Sequence, residues 1–193
     1  FPVAMNNSPD HLNLSSRFDD AHALSQARRD AVTRELPIGS VIDRLEKSAD
    51  APTGVRFVGQ SIAPADGPAF ISWREIHDDA RAVGAALQAM GIVPGDHVAI
   101  LGPTSRELMT IIRGCWLAGV ASMVLPLPMR MASLDAFIDS TRSRIRHGEA
   151  KLVLIDDQLA AFYQTIPGDP PTLPMASVMP GHGKPSGDRL ELP

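Results

Sequence analysis

Apolar and polar positions change rhythm several times along the chain. Residues 1–35 are polar, with only a weak helical stripe through Phe18, Ala21, Leu24 and Ala27, and predict a loosely attached extension carrying one short helix. A second helix is predicted over Ile38 to Lys47, with Ile38, Val41, Ile42 and Leu45 on one face. Val55 to Val58 alternates as a strand does. Ala69-Phe70-Ile71 follows a spacer containing Pro64, Asp66, Gly67 and Pro68, so the two segments predict a hairpin with a generous loop.

From Ser72 the period becomes helical. Ser72 is a natural N-cap, and Glu75 three residues on completes a capping box. Trp73, Ile76, Ala80, Val83, Leu87 and Met90 then share one face, Gly91 supplies a C-cap and Pro94 blocks continuation. His97 to Leu101 is an apolar run of the kind found in buried parallel strands. Thr104 or Ser105 caps a following helix whose Leu108, Ile111, Ile112, Cys115 and Trp116 are expected inside, and Gly119 ends it. Val120 to Leu125 predicts a strand stopped by Pro126 and Pro128. Ser133 to His147 predicts a helix with Leu134, Phe137, Ile138, Thr141 and Ile145 inward, closed by Gly148, and Lys151 to Ile155 a further core strand. Strands and helices alternating at this spacing give an α/β fold, a parallel sheet flanked by helices beside a small β-hairpin. After Pro167 the chain is rich in Pro and Gly, and residues 167–193 read as a linker or unanchored tail, leaving residues 36–166 as the α/β domain.

Composition narrows the function classes. Apolar residues make up 44% and charged residues 21% of 193 residues, as in a globular protein. A net charge of -4 argues against a dedicated nucleic-acid binder. No apolar run approaches the roughly 20 residues that span a bilayer, and no basic stretch followed by an apolar core marks a secretory signal. The lone Cys115 excludes an intrachain disulfide, and the cytoplasm is the expected compartment. The chain begins at Phe1 rather than Met, so its start is expected to be missing or processed.

Candidate chemistry is sparse. Gly102-Pro103-Thr104-Ser105 joins a strand to a helix, where a phosphate can sit, but neither G-x-G-x-x-G nor a P-loop lysine is present. The turn reads as an N-capped βα connection. Gly181-His182-Gly183-Lys184-Pro185-Ser186-Gly187 has proline where a P-loop needs Ser or Thr, and reads as linker. His11, His22, His77, His97, His147 and His182 share no metal-ligand spacing, and His77-Asp78-Asp79 reads as a solvated helix face. Cys115 is expected to be an inert core thiol. Arg142, Arg144 and Arg146 lie in the last turns of a helix, where cations favour the macrodipole; their spacing of two is expected to point them apart.

Three segments resemble the adenylate-forming superfamily, which includes acyl-CoA synthetases, fatty acyl-AMP ligases and peptide-synthetase adenylation domains. Ile71-Ser72-Trp73-Arg74-Glu75-Ile76 is similar to its pattern of apolar, Ser or Thr, aromatic, any, Glu, apolar. Met90 to Ile100 is similar to its G-(I/V)-x-x-G-D-x-V-A-(I/L) stretch, and Trp116 to Leu127 to its helix-end, Ala-Gly, strand, Leu-Pro-Leu sequence. They stand in family order and cover roughly residues 36–165. Leu125-Pro126-Leu127-Pro128-Met129-Arg130 and the following helix are most similar to fatty acyl-AMP ligases.

The resemblance implies an N-terminal part of an enzyme that joins a fatty acid to the α-phosphate of ATP with loss of pyrophosphate, using Mg²⁺. The acyl group then passes to the thiol of an acyl carrier protein, whereas the relatives use coenzyme A. The family's Ser/Thr/Gly-rich phosphate loop, its later nucleotide motifs and its C-terminal lysine are absent from these 193 residues. No catalytic, cofactor-binding or metal-ligating residue therefore carries over, substrate-binding residues stay open, and the chain alone is expected to be inactive and without cofactor. The loop is expected just beyond Pro193. A piece of an acyl-CoA synthetase or peptide-synthetase adenylation domain is the alternative within enzymes. A non-catalytic module docking a carrier protein or synthase is the alternative in another class. A piece whose sheet is completed by later segments is also expected to self-associate.

Overall fold

A computed structural model describes residues 39–57, 70–127, 133–181 and 190–193. The chain divides into two compact units, Phe1–Gly39 and Ser40–Pro193. The extension expected over residues 1–35 lies outside the described residues, as do Ile38, Val58 and Ala69.

Helix α1 covers Val41–Ser48. Ser40 Oγ accepts the Asp43 amide at 3.1 Å and Asp43 Oδ2 accepts the Ser40 amide at 2.9 Å, which satisfies two amide donors at the helix start. Strands β1 (Gly54–Arg56) and β2 (Phe70–Ser72) form the expected antiparallel hairpin, with Val55 opposite Ile71. A Cβ on Gly54 would fall 2.1 Å from the Ile71 carbonyl, so that close approach requires glycine.

The predicted capping box starts α2 (Trp73–Ala89): the Glu75 amide donates to Ser72 Oγ at 3.2 Å, and Glu75 Oε2 accepts the Ser72 amide at 2.9 Å. Ile76, Ala80, Val83 and Leu87 are buried along the expected face. Gly91 then adopts φ +83, the left-handed conformation of a residue just past a helix end.

Four parallel strands follow: β3 (His97–Leu101), β4 (Ala121–Val124), β5 (Ala150–Ile155) and β6 (Thr172–Pro174), in spatial order β4-β3-β5-β6. Helices α3 (Arg106–Leu117), α4 (Leu134–His147) and the short α5 (Asp157–Ala160) connect them. The pleat sorts β3 and β5 between two cores. Val98, Ile100, Leu152 and Leu154 join residues of α2 and α3 in one cluster. Ala99, Leu101, Val153 and Ile155 join Phe137 and Ile145 of α4 in the other. Both faces of the central strands are thus covered, which explains their unbroken apolar runs.

The tail differs from its expectation as an unanchored linker. Strand β6 pairs with β5, Val153 donates its amide to the Pro171 carbonyl at 2.9 Å, and a 3₁₀ turn follows over Met175–Val178. Met175, Val178 and Leu190 enter the main core. Proline costs little here because β6 is an edge strand, so a missing N–H leaves no partner unsatisfied. Among the described residues, four side chains that the sequence puts on apolar helix faces are exposed: Val41 at 62%, Met90 at 37%, and Trp116 and Leu134 at 47% each. Helix α3 turns Leu108, Ile111 and Cys115 toward the sheet, leaving Trp116 on its outer flank.

Candidate functional site

Open α/β sheets place ligands beyond the carboxyl ends of their strands, at the point where strand order reverses. Here that point lies between β3 and β5, since the chain leaves β3 for β4 on one side and returns to β5 on the other. The chain itself closes it. The Asp156 amide donates to the Leu101 carbonyl at 2.8 Å, and a Cβ on Gly102 would lie 2.6 Å from Met175 Sδ. Ser105 caps α3, accepting the Leu108 amide at 3.1 Å. The Gly102–Ser105 turn is therefore a capped βα connection. The Leu108 amide and the space beside its glycine are both taken by the chain itself.

An apolar hollow among the described residues lies instead against the outer flank of α3. Trp73, Leu108, Met109, Ile112, Arg113 and Trp116 line a pocket of about 340 Å³. Arg113 stacks over the Trp73 ring at 5.7 Å, and its side chain turns away into a polar cluster behind the pocket. Such a wall receives an apolar group; it offers no anion site, because the guanidinium is already engaged.

That cluster corrects the reading of His77 as part of a solvated face: His77 is 0% exposed. Arg113 donates to His77 Nδ1 at 3.2 Å, which leaves Nε2–H to donate to Glu46 Oε2 at 3.1 Å. Arg81 donates to the other Glu46 oxygen at 2.7 Å. Burial, partly opposed by Glu46, lowers the imidazole's proton affinity below its ordinary value. Asp78 does lie outward, paired with Arg74, while Asp79 is half-buried against Arg106.

The arginines of α4 correct a second expectation. Arg142 and Arg146 do not point apart: both reach Asp169, at 3.1 Å and 3.6 Å. The Asp169 carboxyl, 1% exposed, also accepts the Ile166 amide at 3.1 Å. That amide and Arg142 outweigh burial and hold its pKa below the usual carboxylate range. The i,i+4 spacing of Arg142 and Arg146 is the sequence signal that places them on one face. Arg144 is exposed.

Cys115 is fully buried, and burial pushes its thiol up to about 12, so it is no nucleophile near neutrality. His97 Nδ1 meets the Gly148 carbonyl at 2.6 Å and His147 Nδ1 the Ser143 carbonyl at 2.8 Å, both ordinary structural contacts. His11, His22 and His182 lie outside the described residues. Among the described residues no group of three or more His, Cys, Asp or Glu side chains is placed to hold a metal, and no helix is long and apolar enough to cross a membrane.

Comparison with known proteins agrees with this architecture. A fatty acid–[acyl-carrier-protein] ligase, ScoC of Streptomyces coeruleorubidus, is 24% identical over 101 residues, covering 52% of this chain and 18% of that enzyme. The phenyloxazoline synthase MbtB of Mycobacterium tuberculosis is 33% identical over 85 residues, covering 44% of this chain and 6% of that protein. A structure from work on fatty acyl-adenylate ligases of E. coli and L. pneumophila superposes with a TM-score of 0.68 at 19% identity, over 82% of this chain and 28% of that one. At that identity the likeness speaks to fold. The chain thus spans less than a fifth of the length of these curated relatives. The family model described as AMP-binding enzyme matches residues 46–178, more than half of the sequence, and the chain belongs to the AMP-binding, adenylate-forming ligase family.

Proposed function

We propose that this chain is the N-terminal α/β part of a fatty acyl-AMP ligase, which activates a fatty acid with ATP and passes the acyl group to a carrier-protein thiol. The family match over residues 46–178 carries the reading, and the carrier-protein ligase among the relatives supports the acceptor. The part described here contributes scaffold. Its sheet mouth is closed by Met175 and Asp156, its helix cap is satisfied by Ser105, and its thiol is inert. In this reading the residues that hold ATP and Mg²⁺ lie in sequence outside these 193 residues, and the chain alone is inactive. The compartment in this reading is the cytoplasm.

The test is acyl transfer by the uninterrupted reading frame. Given a fatty acid and Mg-ATP, the long protein releases pyrophosphate and loads a pantetheinylated carrier protein in preference to coenzyme A. Preference for coenzyme A would move the protein to the acyl-CoA synthetases, and an amino acid or aryl acid as the sole substrate would move it to the peptide-synthetase type.

One observation favours a non-catalytic docking module instead. The tail is seated on the core, with the Glu191 amide donating to Gln88 Oε1 at 3.1 Å and Leu190 buried. A reading frame that stops near Pro193, yielding a protein that binds carrier protein without pyrophosphate release, would establish that reading.

A further inference from the structure

Helix α1 is held by polar contacts rather than by a buried face. None of its residues is buried, and only Ile42 and Leu45 pack partly against the core. Its attachment runs through Glu46, which bonds His77 at 3.1 Å and Arg81 at 2.7 Å. Arg113 completes it, donating to the Leu45 carbonyl at 2.6 Å and to Ser48 Oγ at 2.9 Å. His77 sits between the two anchors and touches both. We propose that α1 is an acid-releasable latch: a second proton on the His77 imidazole detaches it from the α2–α3 layer and frees the Arg113 guanidinium beside the Trp73–Trp116 pocket.

The direction follows from burial and from Arg113 rather than from Glu46: a charged His77 bonds the carboxylate more strongly, but it is disfavoured by burial and repels the guanidinium that holds Leu45 and Ser48. Glu46 of α1, Arg81 of α2 and Arg113 of α3 face His77. The remaining nearby charges are engaged elsewhere: Arg74 with Asp50 and Asp78, and Arg106 with Asp79, while Arg44 and Lys47 of α1 are exposed. With His77 neutral, one carboxylate faces two guanidiniums. With His77 protonated it faces three cations; Glu46 and Arg81 remain partly solvated, but His77 and Arg113 are buried, so the repulsion between those two is the least screened. The added proton also converts Nδ1 from acceptor to donor, so it now opposes an Arg113 N–H at a separation of 3.2 Å. Arg113 must then withdraw, and its bonds to Leu45 and Ser48 go with it. A histidine bound neutral in the fold and titrating near 6.5 when exposed leaves the latch fully closed above about pH 6.5. The hold is lost progressively as pH falls below that value.

Hydrogen exchange on the whole chain tests the latch, with rates corrected for intrinsic chemistry and compared at pH 7.5 and 5.5. The α1 amides should lose protection by about tenfold or more, with the midpoint of the His77 imidazole NMR titration, while β3 and β5 amides stay protected. His77→Gln keeps an acceptor for Arg113 and a donor for Glu46 without titrating, so it should abolish the pH dependence. Unchanged α1 protection in the wild type, equal loss in the variant, or simultaneous loss in α1 and the sheet would each overturn the proposal. Should His77→Gln fail to fold by circular dichroism, the wild-type comparison decides alone: α1 opening at a midpoint different from that of His77 refutes it.

Discussion

Leu190 occupies the hollow that Gly84 leaves open: a Cβ on Gly84 would stand 2.8 Å from Leu190 Cδ1. The same Cβ would lie 3.2 Å from the Gly114 carbonyl, so Gly84 also lets α2 and α3 approach. The glycine thus links helix packing to the seating of the tail.

Gly84→Ala should therefore destabilise the domain by about 1–3 kcal/mol through overpacking, and Leu190→Ala by about 2 kcal/mol through lost burial. The two changes should not add. Removing the Leu190 side chain makes room for the new methyl, so the double variant should recover part of the Gly84→Ala cost. Urea titrations of all four proteins measure the coupling, and strict additivity would mean that Leu190 does not sit on Gly84.

Asp169 should make the fold acid-sensitive. Its pKa is lowered in the folded state, so its stabilisation is fully present above the unfolded value near 4 and disappears as pH falls through the folded value. Midpoints of denaturant unfolding should fall steeply below about pH 4 in the wild type and less steeply in Asp169→Asn. Asp169→Ala should cost about 2–3 kcal/mol at pH 7, because Arg142, only 15% exposed, loses its carboxylate.

Leu87→Asp should prevent folding, since it buries an unpaired charge at a position 0% exposed, at a cost of several kcal/mol. Arg144→Ala should change stability by less than about 0.5 kcal/mol, since Arg144 is exposed and its partner among the described residues is Ser140, one turn back on the same helix. Melting curves decide the matter; equal melting temperatures would contradict the assigned helix faces.

The elements legible in the sequence are those that local chemistry fixes. Ser72 and Glu75 mark the start of α2 within three residues of each other, and the apolar runs of β3 and β5 follow from burial on both faces. What sequence reading missed depends on distant partners. His77 beside two aspartates reads as solvated, and its burial comes from Glu46 and Arg113, 31 and 36 residues away. Asp169 lies 27 residues beyond Arg142, so only the shared face of Arg142 and Arg146 was there to be read. Strand β6 was hidden because prolines at 170, 171 and 174 outweigh its three-residue pattern, although an edge strand tolerates them. The enclosed switch point was equally out of reach, because Met175 arrives there from the segment that composition assigns to linker.

Cys115 should resist modification in the folded protein. With its thiol raised to about 12, the thiolate at pH 8 is on the order of one part in ten thousand, and the sulfur is sealed from solvent. Maleimide or disulfide reagents should label it only as fast as the domain opens, with complete labelling in denaturant. Rapid labelling of the native protein would mean that α3 does not pack as described.

In the proposed reading these 193 residues supply scaffold to an adenylate-forming ligase whose nucleotide site lies in other sequence. Fatty-acid-dependent pyrophosphate release, measured side by side for this chain and for its extended reading frame under saturating Mg-ATP, tests that reading most directly. The extended protein should release pyrophosphate and the 193-residue chain none, with no saturable ATP binding by the latter in calorimetry. Turnover or micromolar ATP binding by the chain alone, or silence from the extended protein across fatty, aryl and amino acids, would contradict that reading.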